Sequence, residues 1–202
     1  MDNFNDVIGG ANLYNGLNYA YVPDRFNNPN SAIYLQKGYL QVPAGVYFSG
    51  DFTITAWVEF NSTQYYQRII DFNNINSDGV PSDNVIFCLK RMSLNLFINT
   101  FFSYKKLDYV VPSRLNLKQW YHLAYVLQGK TGTVYVDGVN VGSGPQNSPN
   151  NVTRYNNFIG KSWSSGDALA DATYDDIKIY KGALQASDIL NDYTSSLVNR
   201  KQ

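Results

Sequence analysis

Few residues in this chain could carry catalysis. The single histidine, His122, lies in WYHLAYVLQGKTGTVYVDG (120–138), and Asp137 follows near the end of the same stretch. A histidine and an aspartate can act as base and orienting acid for a nucleophile. The third member is then a serine on a sharp turn, and no G-x-S-x-G elbow occurs in the chain. Trp120, His122, Ala124 and Val126 alternate with Tyr121, Leu123, Tyr125 and Leu127. Both faces are largely apolar, as in a strand covered on each side, so His122 is expected to be structural. The turn at GKTG is expected to leave His122 and Asp137 at opposite ends of a hairpin, out of contact. Glycoside hydrolysis would need two carboxyl groups. Glu59 is the one glutamate, and Asp175 and Asp176, adjacent on a strand pattern, are expected on opposite faces. Only aspartates converging from separate loops could supply a pair. The lone Cys88, in VIFCLK, reads as a small buried apolar residue. Without a second histidine or cysteine no zinc-type site can be assembled.

Binding chemistry has more candidates. Calcium takes six to eight oxygens from carboxylates, amides and backbone carbonyls. Asp171, Asp175 and Asp176 cluster around one late strand, and the loop DFNNINSDGVPSDN (71–84) brings Asp71, Asp78 and Asp83. Asp24 is a third place, read mostly as a turn-forming hydrogen bond to nearby backbone, and the alternative for all is that these carboxylates cap turns and face water. A sugar needs an exposed aromatic face for its apolar side and amides or arginine for its hydroxyls. Trp163, in the small-residue loop GKSWSSGD, is the leading platform. Tyr65 and Tyr66, with Arg68 and Asn73 close in sequence, form a second group. Tyr104, which follows Phe101 and Phe102 and precedes Lys105 and Lys106, is a third. Buried packing is the competing reading for each.

These residues sit on or between short strand patterns. FTITAWVEF (52–60) alternates strictly, and SAIYLQ, GYLQVP, QRIIDF, NVIFCLK, SLNLFI, TVYVDG and DDIKIY resemble it, with Asn, Asp, Gly, Ser and Pro turns between them. Such a pattern points to an all-β, antiparallel sandwich or jelly roll. Only ALQASDILNDYTSSL, near the C-terminus, has helical spacing, with Ser187 and Asp188 available near its start. The 202 residues suit one domain, with 1–22 as an irregular lead-in and 195–202 as a tail. Basic and acidic residues balance at a formal net charge of zero, which leaves nothing to neutralise a nucleic-acid backbone. No apolar run is long enough to span a bilayer. The N-terminus MDNFNDVIGG has no basic segment followed by an apolar one, so the expectation is a segment of a larger surface protein. Two sequons, Asn61-Ser62-Thr63 and Asn151-Val152-Thr153, would accept glycans in a eukaryotic secretory pathway.

Four stretches carry a family resemblance. PDRFNNPNSAIYL resembles an Asp-Arg-Phe-Gly segment leading into a first core strand, and GDFTITAWVEF resembles a "dFTisaWv" strand. WYHLAYV followed by VYVDG is similar to a "W-x-H-x-A-x-V … lYvDG" hairpin, and YDDIKIYKGALQASDI to a closing "iDEvriYnraLs-x-x-EI" strand and helix. In order and spacing, over residues 23–193, they resemble the laminin-G-like domains of the concanavalin-A-like lectin/glucanase superfamily. Asn27 stands where the family usually has Gly, a tolerable swap because Asn also visits the left-handed region. Ala172 replaces a frequent Gly before the closing strand.

The resemblance implies a jelly-roll β-sandwich of two curved antiparallel sheets with a short C-terminal helix. It also implies carbohydrate or protein binding, often with calcium, and an aspartate at the Asp175 position helping to hold a structural Ca2+. Glucanases of the superfamily use a Glu-x-Asp-x-Glu strand, which a chain with one glutamate cannot build. The expectation is thus a non-catalytic module for a glycan or glycoprotein, extracellular or at a cell surface, with no nucleic-acid partner and no membrane insertion. Its ligand residues would be Trp163, Tyr65, Tyr66, Arg68, Asn73 and Tyr104, and its calcium ligands would come from Asp175, Asp171, Asp78 and Asp83. A protein–protein adhesion or assembly module without sugar binding is the alternative.

Overall fold

The computed structural model describes residues 3–75, 77, 79–91, 93–102, 105–111 and 115–198. Among these, the lead-in ends in β1 (Asn15–Val22), followed by β2 (Ala32–Val42), β3 (Phe52–Phe60), β4 (Arg68–Ile75) and β5 (Pro81–Leu89). Next come β6 (Leu96–Phe102), β7 (Lys105–Val111), β8 (Trp120–Gln128), β9 (Thr131–Val136) and β10 (Val139–Pro145). The chain closes with β11 (Asn156–Ile159), β12 (Ala170–Lys181) and a single helix, α1 (Ala186–Ser195). Every pairing is antiparallel, and the order is β10-β9-β8-β3-β12-β2-β11-β4-β5-β6-β7, with β1 alongside β2.

Where two sheets were expected, the hydrogen bonds trace one continuous curled ladder, because β2 serves both halves. Its Ile33–Gly38 segment pairs with β12 and its Leu40–Val42 segment with β11, while β1 follows the other edge throughout. The handover falls at Lys37, with φ of 51°, and Gly38. A Cβ on Gly38 would lie 2.2 Å from the Leu17 carbonyl oxygen and 2.5 Å from that of Asn18. Only glycine lets β1 pass so close at the fold. The curl brings the far strands back together: Thr100 on β6 donates to the Gln146 side chain, just past β10, at 3.0 Å.

The largest apolar cluster among the described residues holds Phe48, Phe52, Phe72, Phe87 and Tyr125, all essentially fully buried. Their rings meet edge-on or tilted, for example Phe48 with Phe52 at 4.6 Å and Phe52 with Tyr125 at 5.1 Å, in the geometries aromatic quadrupoles favour. Burial of each such side chain is worth about 1.5–3 kcal/mol. β3 is covered on both faces, since Thr53, Thr55 and Trp57 lie under α1 and the N-terminal turn. α1 starts at Gln185, whose N–H is capped by the Asp188 carboxylate at 3.0 Å. Ile189 seals the helix onto Ala124, Val126 and Tyr135.

Candidate functional site

The catalytic candidates resolve into scaffold. Contrary to expectation, His122 and Asp137 do meet. The β8–β9 register sets Leu123 opposite Val136, so both residues lie at the open end of the hairpin rather than at opposite ends. Asp137 N–H donates to the His122 carbonyl, and His122 N–H donates to Asp137 Oδ1, each at 2.8 Å. That contact uses the histidine main chain. Its buried imidazole turns instead to α1, with Nε2 3.2 Å from Asp192 Oδ2. Burial alone would raise the Asp192 carboxyl, but His122, Lys178 and Thr55 outweigh it and hold the group well below the carboxylate range.

Asp175 and Asp176 also come together rather than apart. A bulge between Asp175 and Lys178, with Asp176 at φ of 47°, breaks the strand alternation. Arg25 then takes Asp175 on Nη1 and Asp176 on Nη2, with 2.9 Å to the latter. The same guanidinium donates to the Ser196 carbonyl at 2.9 Å and lies 4.6 Å from the Trp57 ring centroid. Asp24 holds the preceding turn by accepting the N–H groups of Phe26 and Asn28. Cys88 is fully buried, and burial pushes its thiol up to about 12, so it is inert at neutral pH.

The binding candidates gather at one end of the ladder, where β3 and β11 finish and β4 and β12 begin. Arg68 organises this end from inside. Its Nε donates to Asp71 at 3.0 Å, Nη2 to Asp167 and to Ser162 Oγ at 2.7 Å each, and Nη1 to the Tyr66 carbonyl at 2.6 Å. Asp71 is completely buried, and burial pushes its carboxyl above the usual range against the pull of Arg68. Two carboxylates from separate elements thus do converge, but on a buried guanidinium and not across an open groove. Arg68 and Asn73, expected to reach a ligand, are enclosed instead. Asn73 donates to Asp71 at 2.9 Å, and its own amide oxygen is buried without a partner among the described residues.

This network presents the aromatic residues. Trp163 N–H points to Asp71 Oδ2 at 3.4 Å, and Ala168 N–H donates to the Tyr65 carbonyl at 2.9 Å, which ties the 160–169 loop to the 61–67 loop. Trp163 and Tyr65 remain 39% and 45% exposed. Tyr66, at φ of 49°, packs edge-on against Tyr65 at 5.0 Å and Phe97 at 5.8 Å. The exposed Arg91, from the loop after β5, accepts the Tyr66 N–H on its carbonyl at 3.3 Å. No sequence signal marked Arg91, because its link to Tyr66 runs between loops far apart in the chain. Tyr104 lies outside the described residues.

The calcium candidates are dispersed. Asp175 is occupied by Arg25, Asp171 accepts the Tyr34 and Ser62 hydroxyls, and Asp83 accepts from Asn150 at 2.7 Å. Among the described residues no three His, Cys, Asp or Glu side chains converge as a metal site, and Asp78 lies outside them. Asp175, Asp171 and Asp83 are each engaged by donors of the protein itself.

Among known proteins, a family model described as the Concanavalin A-like lectin/glucanases superfamily matches residues 35–190. No curated protein sequence matches. Solved structures of similar fold include domain 4 of AbnA, a GH43 extracellular arabinanase from Geobacillus stearothermophilus, in complex with arabinotriose. There the TM-score is 0.73 at 18% identity, covering 94% of this chain and 92% of that one. The binding domain of Paraclostridial mosquitocidal protein 1 gives 0.67 at 19% identity, over 96% and 50%. Botulinum neurotoxin type C, whose cell entry depends on two ganglioside molecules, gives 0.66 at 15%, over 93% and 47%. The chain spans about half the length of these two toxin chains. At such identities the likeness is one of fold.

Proposed function

The chain belongs to the concanavalin A-like lectin/glucanase superfamily, and on that premise we propose that it is a non-catalytic carbohydrate-binding module of an extracellular or surface protein. The curled ladder is taken as the family's jelly roll, and the ligand as an oligosaccharide lying on the rim formed by Trp163, Tyr65, Tyr66 and Arg91. The observation that carries the reading is the exposure of Trp163 and Tyr65 on two loops locked together through Arg68. A rigid aromatic platform stacks a sugar at little entropic cost, and Arg91 supplies donors to its hydroxyls. The whole-domain likeness to an arabinanase domain in complex with arabinotriose supports it. The burial of Asp71 and its pairing with Arg68 argue against hydrolysis at this end.

The second reading, a protein-docking module, is favoured by β1. Among the described residues this strand pairs only with β2, and Leu17, Tyr19 and Tyr21 are exposed on it. A glycan array probed with wild type, Trp163→Ala and Tyr65→Ala distinguishes the two. Wild type should bind a glycan and both variants should lose it at unchanged melting temperature. Failure of wild type to bind any glycan, or full binding by Trp163→Ala, would remove the rim reading. Calcium enters as a separate arm: each protein is run with calcium and with chelator, and dependence on the ion would restore the expected brace.

A further inference from the structure

At the opposite end of the ladder, where β3 and β11 begin and β2 and β12 finish, lies an open cleft of about 430 Å³ whose polar lining residues are exposed. That size is within the roughly 300–1,000 Å³ range of ligand clefts. Val46, Tyr47, Ser49, Asp51, Asn151 and Lys181 line it. We propose that this cleft is a second saccharide subsite, taking one neutral, hydroxyl-rich unit at the end of an oligosaccharide. The site stands on its own lining and does not depend on the rim.

The walls are built rather than incidental. Arg154, fully buried behind the cleft, donates to the Asp83 carbonyl at 2.7 Å and the Phe48 carbonyl at 3.0 Å. It reaches the Val152 and Asn150 carbonyls at 3.4 Å each. One guanidinium therefore staples the loop after β2 to the loop before β11, and the Gly45–Arg154 bridge joins them again. The Asp51 carbonyl accepts Gly182 N–H at 3.0 Å, which fixes the third wall. Tyr47 is fixed by its hydroxyl, which donates to the Pro43 carbonyl at 3.0 Å.

The lining then presents polar groups. Asp51, itself exposed, holds Gly129 N–H through Oδ1 at 2.7 Å. Lys181, Ser49 and Asn151 stand exposed around it. One acid and one base that do not pair with each other give a lining with no net charge, carrying both donors and acceptors. Tyr47 and Val46 add an apolar wall. A solute of single charge is opposed by one of the two ionic groups, whereas a neutral polyol can hydrogen-bond to both.

The test is an NMR titration of the isotope-labelled chain with arabinotriose and, separately, maltotriose. Amides of Asp51, Asn151 and Gly182 should shift with at least one of them, in Trp163→Ala as in wild type. Lys181→Gln and Asp51→Asn should each weaken this set about tenfold, the loss of one hydrogen bond to a charged group, while leaving the rim shifts in place. Raising the salt concentration should change nothing. Shifts confined to the rim, a cleft set abolished by Trp163→Ala, or steep salt dependence would overturn the subsite. Shifts at the cleft alone would retain it and sink the rim reading; no shifts anywhere would sink both.

Discussion

Replacing Arg68 by Met keeps the length and apolar stem of the side chain and deletes its charge. Two carboxylates lose their counter-ion, Asp71 with a fully buried side chain and Asp167 with one 13% exposed. Removing one partner of a buried pair typically costs about 3–5 kcal/mol, a large part of the roughly 5–15 kcal/mol that keeps a domain folded. At about 2–4 °C per kcal/mol for a domain of this size, the melting temperature should fall by roughly 6–20 °C. The pH dependence carries a sign of its own. Asp71 already has its folded pKa raised above 3.8 by burial, so its ionised form opposes folding above that raised value. The penalty fades as pH falls toward 3.8, and without Arg68 it is larger. The deficit of Arg68→Met against wild type, followed by thermal denaturation at several pH values, should therefore narrow on acidification from neutral pH. Adding Asp71→Asn should recover part of the loss at pH 7 and remove most of the pH dependence. A loss below about 1 kcal/mol, or one equal at every pH, would refute the assignment of Arg68 as the counter-ion on which this end is built.

Other expectations follow from the same contacts. Asp192 has its folded pKa depressed below 3.8, so its contribution is whole above that value and disappears as pH falls through the folded pKa. Asp192→Asn should cost roughly 1–3 kcal/mol at pH 7, with the two denaturation curves converging in strong acid. Gly38→Ala drives a methyl into two carbonyl oxygens of β1 and should destabilise by about 1–3 kcal/mol or more, read by urea unfolding. Arg25→Met frees the Ser196 carbonyl and the β12 bulge. Hydrogen exchange should quicken first in the last turn of α1 and in the 24–28 turn, and uniform quickening would argue against a local clasp.

The strand pattern of FTITAWVEF and its neighbours was legible because period-two alternation records burial on each face directly. The helix was legible for a similar reason, although only Ile189 of its apolar residues is buried. Register was not legible. One residue of slip, or one bulge, changes which side chains meet, and this is how His122 came opposite Asp137 and Asp176 came beside Asp175. Trp163 and Tyr65 could be placed on exposed loops from their small and polar neighbours. Arg68 and Asn73 could not be told from ligand residues, because a buried arginine network joins positions as far apart as 68, 71 and 167. The Asp51, Asn151 and Lys181 lining had no signal at all for the same reason: its members meet only after the sheet has curled.

The place of β12 bears on how the chain must be made. It is an interior strand supplied last, slotted between β2 and β3, and its Asp171 meets a residue of β2 137 positions earlier. During synthesis β2 and β3 must wait with open edges until β12, beginning only at Ala170, arrives. Closure over such a span makes folding slow and leaves nascent chains prone to pair with one another. A fragment ending before Ala170 is therefore no smaller version of this domain. It carries two unpaired edges in its middle and should be recovered as aggregate.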